Sequence, residues 1–283
     1  ARPGDNTLPI PNQLIVGDQL PGQLNAAPST HSFSPGLRSP TLGFNQSYLG
    51  PVIRVKRGNT ARIRVTNQTE EPITSHWHGL HVEGKMDGGP QTAFAPGTTW
   101  TAELDIDQPA ATLWYHSHVH GKTGAQVYAG LAGILIIDDP QAPPTGLPDT
   151  YGVDDIPLIV QDRSFAADGA LQYSNRGPAM MHGFRAGEIV VNGALRPHAA
   201  VPAGLTRLRM LNASNARIYD FSLEDNRRFH QVASDAALLP APVAMQSLRL
   251  APGERAEIVV DFSDGQPVRL LSSEDFNSPM RGM

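Results

Sequence analysis

The chain has 283 residues, among them 27 Gly, 25 Pro and no Cys. The two backbone breakers run well above their ordinary combined share of about 12%, which excludes an architecture of long helices. Hydrophobic residues make up 40% and charged residues 17%, enough apolar material for a sizeable core and too little charge for a disordered chain. A net charge of −5 with no dense basic block argues against a nucleic-acid partner.

The longest apolar run, 129–137, is broken by Gly130 and Gly133 and falls short of the roughly 18 residues that suggest a membrane span. Without Cys there are no disulfides, thiolate nucleophiles or Cys-ligated metals in this chain, so any metal chemistry rests on His and carboxylates. The chain opens at Ala1 without Met or a basic, apolar leader. A mature exported protein, periplasmic or secreted, begins this way, as does a trimmed chain.

In chain order, short runs of strand character fall at 52–56, 61–66, 99–105, 113–118, 131–137, 158–161, 188–191, 205–211 and 256–261. Turn signals separate them, which is the cadence of an all-β sandwich. Arg62-Ile63-Arg64-Val65 alternates with period two, placing arginines on one face and aliphatics on the other, as in a half-buried strand. No amphipathic pattern predicts a helix longer than about two turns.

A repeat of long period organises these runs. Val55-Lys56-Arg57-Gly58 and the run from Arg62 to Asn67 are echoed by Val201-Pro202-Ala203-Gly204 and the run from Arg207 to Asn212. Ala95-Pro96-Gly97 and the strand after it are echoed by Ala251-Pro252-Gly253 and the strand after that. Two related β domains follow. The expected domains are 1–140 and 156–283. Between them, 141–155 is a linker stiffened by Pro143-Pro144 and Leu147-Pro148. The first copy continues beyond its Pro-Gly strand through two further strands, whereas only 21 residues follow Phe262 in the second. The second domain is therefore expected to lack its closing strand. Because folded proteins cover unpaired edges, the chain reads as the N-terminal part of something longer, cleaved or continued by another polypeptide.

Five of the ten histidines fall in two groups, His76-Trp77-His78-Gly79 and Trp114-Tyr115-His116-Ser117-His118-Val119-His120. On a strand, residues two apart share a face, so each His-x-His pair presents two imidazoles to one place, and Trp77 faces away. Two such strands side by side supply four nitrogen ligands, suited to copper, zinc, iron or nickel. One such pair is an ordinary surface feature. Two pairs about 40 residues apart, both flanked by Trp and Gly in a chain with only 6% aromatics, point to a metal site.

These segments, together with Met86-Asp87-Gly88-Gly89-Pro90-Gln91, Asp107-Gln108-Pro109-Ala110-Ala111-Thr112 and Gly121-Lys122-Thr123-Gly124, resemble the first domain of a multicopper oxidase. The likeness is greatest to the exported bacterial copper-efflux and laccase-like oxidases. It extends through Ile159-Val160-Gln161-Asp162 and the run from Leu208 to Ala216. The resemblance implies an all-β fold of two tandem cupredoxin-like Greek-key β-sandwich domains, with the family's third domain absent from this chain. It further implies a trinuclear copper cluster between the first and third domains, in which His76 ligates the type 2 copper while His78, His116 and His118 ligate the type 3 pair. Asp87 resembles the acidic residue that helps deliver protons during oxygen reduction; in Asp87-Gly88-Gly89 it also reads as an ordinary turn aspartate.

The resemblance implies one-electron oxidation of phenolic, aromatic amine or Cu(I) substrates coupled to reduction of dioxygen to water. The implied partners are dioxygen, a small reducing substrate and a C-terminal cupredoxin domain or chain of the same enzyme. The family's other four cluster histidines and its type 1 copper site belong to that third domain. A blue copper site needs a thiolate, which this sequence lacks.

The second repeat carries no comparable site. Nine residues beyond Asn67 lies His76, whereas nine beyond Asn212 lies Phe221, with no His pair nearby; the second domain is expected to be a spacer. His81 is out of phase with its pair, His120 lies beyond the second pair, and His31, His182, His198 and His230 are isolated. Met280 and Met283 lie where copper-efflux members often become methionine-rich. Trp100 and Trp114 read as core residues.

Three other readings are weaker. A zinc hydrolase of the metallo-β-lactamase type needs an acid where Leu80 stands. A two-domain copper oxidase or nitrite reductase needs a Cys. A non-catalytic cupredoxin scaffold, against which the four retained histidines argue, or an inactive fragment is the alternative to the oxidase.

Overall fold

The computed structural model describes residues 6–273. Among the described residues, contacts divide the chain into two compact units, one built from residues 11–143 and 165–172, the other from 6–10, 144–164 and 173–273. Each unit thus includes a short segment from outside its main stretch of sequence.

The first unit contains β1 (Gln13–Ile15), β2 (Gly22–Ser34), β3 (Leu37–Phe44), β4 (Val52–Lys56), β5 (Thr60–Asn67), β6 (His76–His78), β7 (Thr99–Asp105), β8 (Ala111–His116), the helix α1 (Thr123–Ala129) and β9 (Ala132–Asp138). Two sheets form, in the orders β1-β4-β9-β8-β6 and β3-β2-β5-β7. Alternation along β5 buries Ala61, Ile63 and Val65 and leaves Arg62 and Arg64 exposed, as period two requires. The buried side joins Ile53, Val55, Trp77, Leu104, Leu113, Tyr115 and Leu135 in one core. Tyr115 passes close to the backbone of Gly133, where an added Cβ would lie 2.4 Å from the ring, and its hydroxyl donates to Pro51 O at 2.8 Å. Phe165, from the segment added to this unit, packs against Phe33 with ring centroids 5.2 Å apart.

The second unit contains β10 (Asp155–Arg163), the helix α2 (Pro178–His182), β11 (Glu188–Val191), β12 (Ala194–Leu195), β13 (Leu205–Asn212), β14 (Tyr219–Leu223), β15 (Phe229–Ala233), β16 (Leu238–Met245), β17 (Ser247–Leu250), β18 (Arg255–Asp261) and β19 (Leu270–Ser272). Its sheets run β12-β11-β10-β13-β18-β15-β16 and β17-β14-β19. Val160, Leu208, Met210, Phe221, Phe229 and Ile258 lie in its core. Asp155, the last residue of the stretch read as linker, is the buried first residue of β10.

The sequence repeat is realised as a repeated topology. The parallel pairing of β2 with β5 is matched by β10 with β13, and the antiparallel pairing of β5 with β7 by β13 with β18. β19 pairs with β14 as β8 pairs with β6. Among the described residues no strand in the second unit corresponds to β9. Both α-helices are two turns or less. None among the described residues is long and apolar enough to cross a membrane.

Candidate metal centre

The two histidine groups meet at one edge of the five-stranded sheet. β6 pairs antiparallel with β8 in a register that sets His76 opposite His116, Trp77 opposite Tyr115 and His78 opposite Trp114. Trp77 and Tyr115 therefore enter the core, and the histidines take the other face. β8 ends at His116 rather than continuing to 118 as its sequence pattern predicts; Ser117 N still donates to Leu131 O at 3.1 Å, one step further along the same register. His118 reaches the group from the loop: its ring centroid lies 5.2 Å from that of His76 and 5.5 Å from that of His116.

Hydrogen bonds to carbonyl oxygens, which only accept, set the tautomers. His76 Nδ1 donates to Asp87 O at 2.9 Å, leaving the lone pair on Nε2. His116 Nδ1 donates to Ser117 O at 2.8 Å, leaving its Nε2 lone pair 3.3 Å from His78 Nδ1. Burial, opposed by the hydrogen bond to Ser117 O and aided by the neighbouring imidazoles, pushes the pKa of His116 down to about 3, so this ring stays neutral and able to ligate at physiological pH. Ligand atoms of His76, His78 and His116 all lie within 4.8 Å of one another. His118 Nδ1 is buried with no hydrogen-bond partner. Several imidazole lone pairs gathered without a carboxylate or thiolate among them fit a borderline metal such as copper.

Asp87 touches the same group from behind. Its carboxylate lies 3.4 Å from His76 Nδ1, the side opposite the Nε2 lone pair. Its carbonyl also accepts from Trp77 N at 3.2 Å. The loop reaches this position through Gly88, whose φ of +73° and distance of 1.8 Å from a built Cβ to Ser75 O admit no side chain.

The supports behind the second pair escaped sequence reading. His118 N donates to Thr74 Oγ1 at 2.6 Å, and Thr74 N donates to Ser117 Oγ at 3.3 Å. The Ser117 hydroxyl donates to Oε1 of Gln126 in α1, which in turn donates to Pro72 O at 2.9 Å. Buried Gln126 thus ties the entry to β6 to the exit from β8. The only signal available was a Gln within an otherwise small and apolar helical turn. Gln108 acts similarly at the first pair, accepting from His81 N at 2.6 Å and donating to Gly79 O at 3.0 Å.

The other histidines stay apart: His81, His120, His182, His198 and His230 are exposed, and His31 contacts Ser47 Oγ at 2.8 Å in the first unit. Met280 and Met283 lie outside the described residues. Trp114 is buried, as its reading as a core residue expects, but it lies on the histidine face and outside the cluster that holds Trp77 and Tyr115.

The multicopper oxidase profile fits residues 25–142. The first unit is a multicopper oxidase domain. The laccase-like multi-copper oxidase CueO of Ochrobactrum sp. is 41% identical to the chain, with a TM-score of 0.91 over 95% of this chain and 60% of that one. The multi-copper oxidase of Pediococcus acidilactici is 35% identical, with a TM-score of 0.90 over 96% and 59%. Among curated proteins, the cell division protein FtsP of Salmonella typhimurium is 40% identical over 267 residues, 94% of this chain and 56% of the relative. The Escherichia coli FtsP is 39% identical over the same length. The chain thus spans somewhat over half the length of the relatives it matches. Both units have the cupredoxin-like architecture of the multicopper oxidase fold.

Proposed function

We propose that this chain supplies one half of a trinuclear copper centre in an exported, periplasmic or secreted oxidase that couples one-electron oxidation of phenolic, aromatic amine or Cu(I) substrates to reduction of dioxygen to water. The observation that carries this reading is the convergence of His76, His78 and His116 within ligating distance of one another, with His118 beside them. His76 would hold the type 2 ion and His78, His116 and His118 the type 3 pair. A C-terminal cupredoxin domain would supply the remaining ligands and the type 1 site.

Copper, when bound, supplies the capacity to hold and pass several electrons to dioxygen. The chain's own residues supply geometry and protons. The carbonyls of Asp87 and Ser117 hold His76 and His116 with Nε2 presented. The Asp87 carboxylate, close to His76 Nδ1, can hold a proton next to the centre and release it as oxygen is reduced. In the full-length protein, His78→Ala or His116→Ala should remove copper and abolish oxygen uptake while the fold persists; unchanged copper content and turnover would overturn the assignment. Asp87→Asn should slow oxygen uptake with copper retained.

A second reading, a non-catalytic scaffold acting in cell division, is favoured by the FtsP relatives at 40% identity. It predicts full-length protein without copper or oxygen uptake, and complementation of a division defect by the His116→Ala variant as well as by the wild type.

A further inference from the structure

Trp114 stands out on the histidine face. It lies two residues before His116 on β8 and opposite His78 in the ladder, so its ring projects to the same side as both. Its ring centroid is 4.1 Å from that of His116, with the planes 31° apart, and 5.1 Å from that of His78, with the planes 34° apart. It is 6% exposed and lies outside the core cluster that takes Trp77 and Tyr115.

The indole N–H is buried without an acceptor, whereas that of Trp77 donates to Met86 O at 3.0 Å. A buried donor left unpaired is unfavourable, and buried tryptophans ordinarily find a partner. The placement of Trp114 is therefore set by its ring faces, and those faces meet two imidazoles. We propose that Trp114 is a positioning residue of the metal centre, its indole plane holding the rings of His116 and His78 in the orientation that presents their lone pairs. The role rests on the copper reading only for its purpose; the packing that performs it is present without metal.

The test uses the full-length protein with isotope-labelled histidine, first metal-free. In the wild type, the His116 nitrogen signals should show one tautomer, protonated at Nδ1, with that proton slow to exchange. Trp114→Leu should mix the tautomers and speed the exchange, and Trp114→Phe, which keeps a flat ring and removes the N–H, should restore both. Trp100→Leu, a change at a residue packed against the same unit's core, is the control for general loosening. On copper titration, Trp114→Leu should bind about tenfold more weakly, the lower end of the effect of losing a ligand's support. A wild-type tautomer and wild-type affinity in Trp114→Leu, or an equal His116 response in Trp100→Leu, would overturn the proposal. A wild type that binds no copper would overturn the oxidase reading, and the metal-free signals would still decide the role of Trp114.

Discussion

Asn67 in the first unit and Asn212 in the second occupy the same corner, each buried at the end of a strand. Asn67 Nδ2 donates to Glu71 O and Phe94 O at 2.9 and 3.2 Å; Asn212 Nδ2 donates to Arg217 O and Leu250 O at 2.8 and 2.9 Å. Each carbonyl accepts from the Gly of the Ala-Pro-Gly turn, Gly97 at 2.7 Å and Gly253 at 2.8 Å. Beyond the corner the units diverge. The second has one more residue between its Asn and the next strand: Ile73 bridges Phe94 where Tyr219 pairs with Leu250. His76, Trp77 and His78 therefore correspond to Ser222, Leu223 and Glu224, one position later than a count from Asn212 suggests. Leu223 keeps the buried place of Trp77, and the ligands are gone. The repeated part of the sequence is the part that turns the chain, and the chemistry sits on the face that the repeat leaves free.

The arginine-bearing strands make the same point energetically. Arg62 on β5 pairs with Glu103 at 2.7 Å, and the two side chains are 59% and 50% exposed. On β13, Arg209 makes a two-pronged pair with Asp155 at 2.6 and 2.8 Å and reaches Glu257 at 3.1 Å, while Arg207 Nε donates to Glu257 Oε2 at 2.7 Å. All four of these residues are buried. One alternating pattern produces a solvated face in one unit and a neutralised, buried ion cluster in the other.

The comparison is broken most severely at that cluster. Asp155→Ala leaves two buried cations sharing one anion and should cost about 3–5 kcal/mol in chemical denaturation. Next comes pH. The folded His116 has a pKa of about 3 against about 6.5 when unfolded, so the unfolded state binds more protons between these values. In the metal-free protein, stability conferred by the neutral ring is complete above pH 6.5 and is lost as pH falls toward 3. Melts across that range should show the loss in the wild type and a flatter profile in His116→Leu; equal profiles would contradict it. Asn67→Ala and Asn212→Ala should each cost about 3–4 kcal/mol, from four lost side-chain hydrogen bonds in the first and three in the second, each of about 1 kcal/mol. Similar losses would sharpen the equivalence of the corners, and unequal ones would break it. The smallest effect is Glu103→Ala, at most about 1 kcal/mol for an exposed pair.

Much of this was legible in the sequence because strand and ligand patterns are local. Period two along 61–66 reports which residues face the core, and the His-x-His spacing reports that two imidazoles share a face. The β2–β3 hairpin was missed because Gly22–Ser34 carries Ser, Thr, Gln, Asn and Pro, with no clean alternation. β16 was missed because its eight residues, Leu238–Met245, are apolar throughout and two of them are Pro. Gln126 and Trp114 were illegible as parts of the site: a buried Gln has meaning only through the atoms it joins, and a tryptophan in a hydrophobic run looks the same whether it faces the core or a cluster of imidazoles.

The sequence by itself determined the strand-rich class, the repeat, and the spacing of four histidines in two His-x-His pairs, because each depends on neighbours a few residues apart or on likeness between two stretches. Tertiary structure alone decided that His76 faces His116, that the Asp87 carbonyl selects the proton position on His76, and that one Arg-x-Arg strand is solvated while its counterpart is buried. Those outcomes depend on pairings between segments tens of residues apart, such as β6 with β8. Packing of the whole unit selects such registers, because a slip of one residue would send Trp77 and Tyr115 out of the core and the histidines into it.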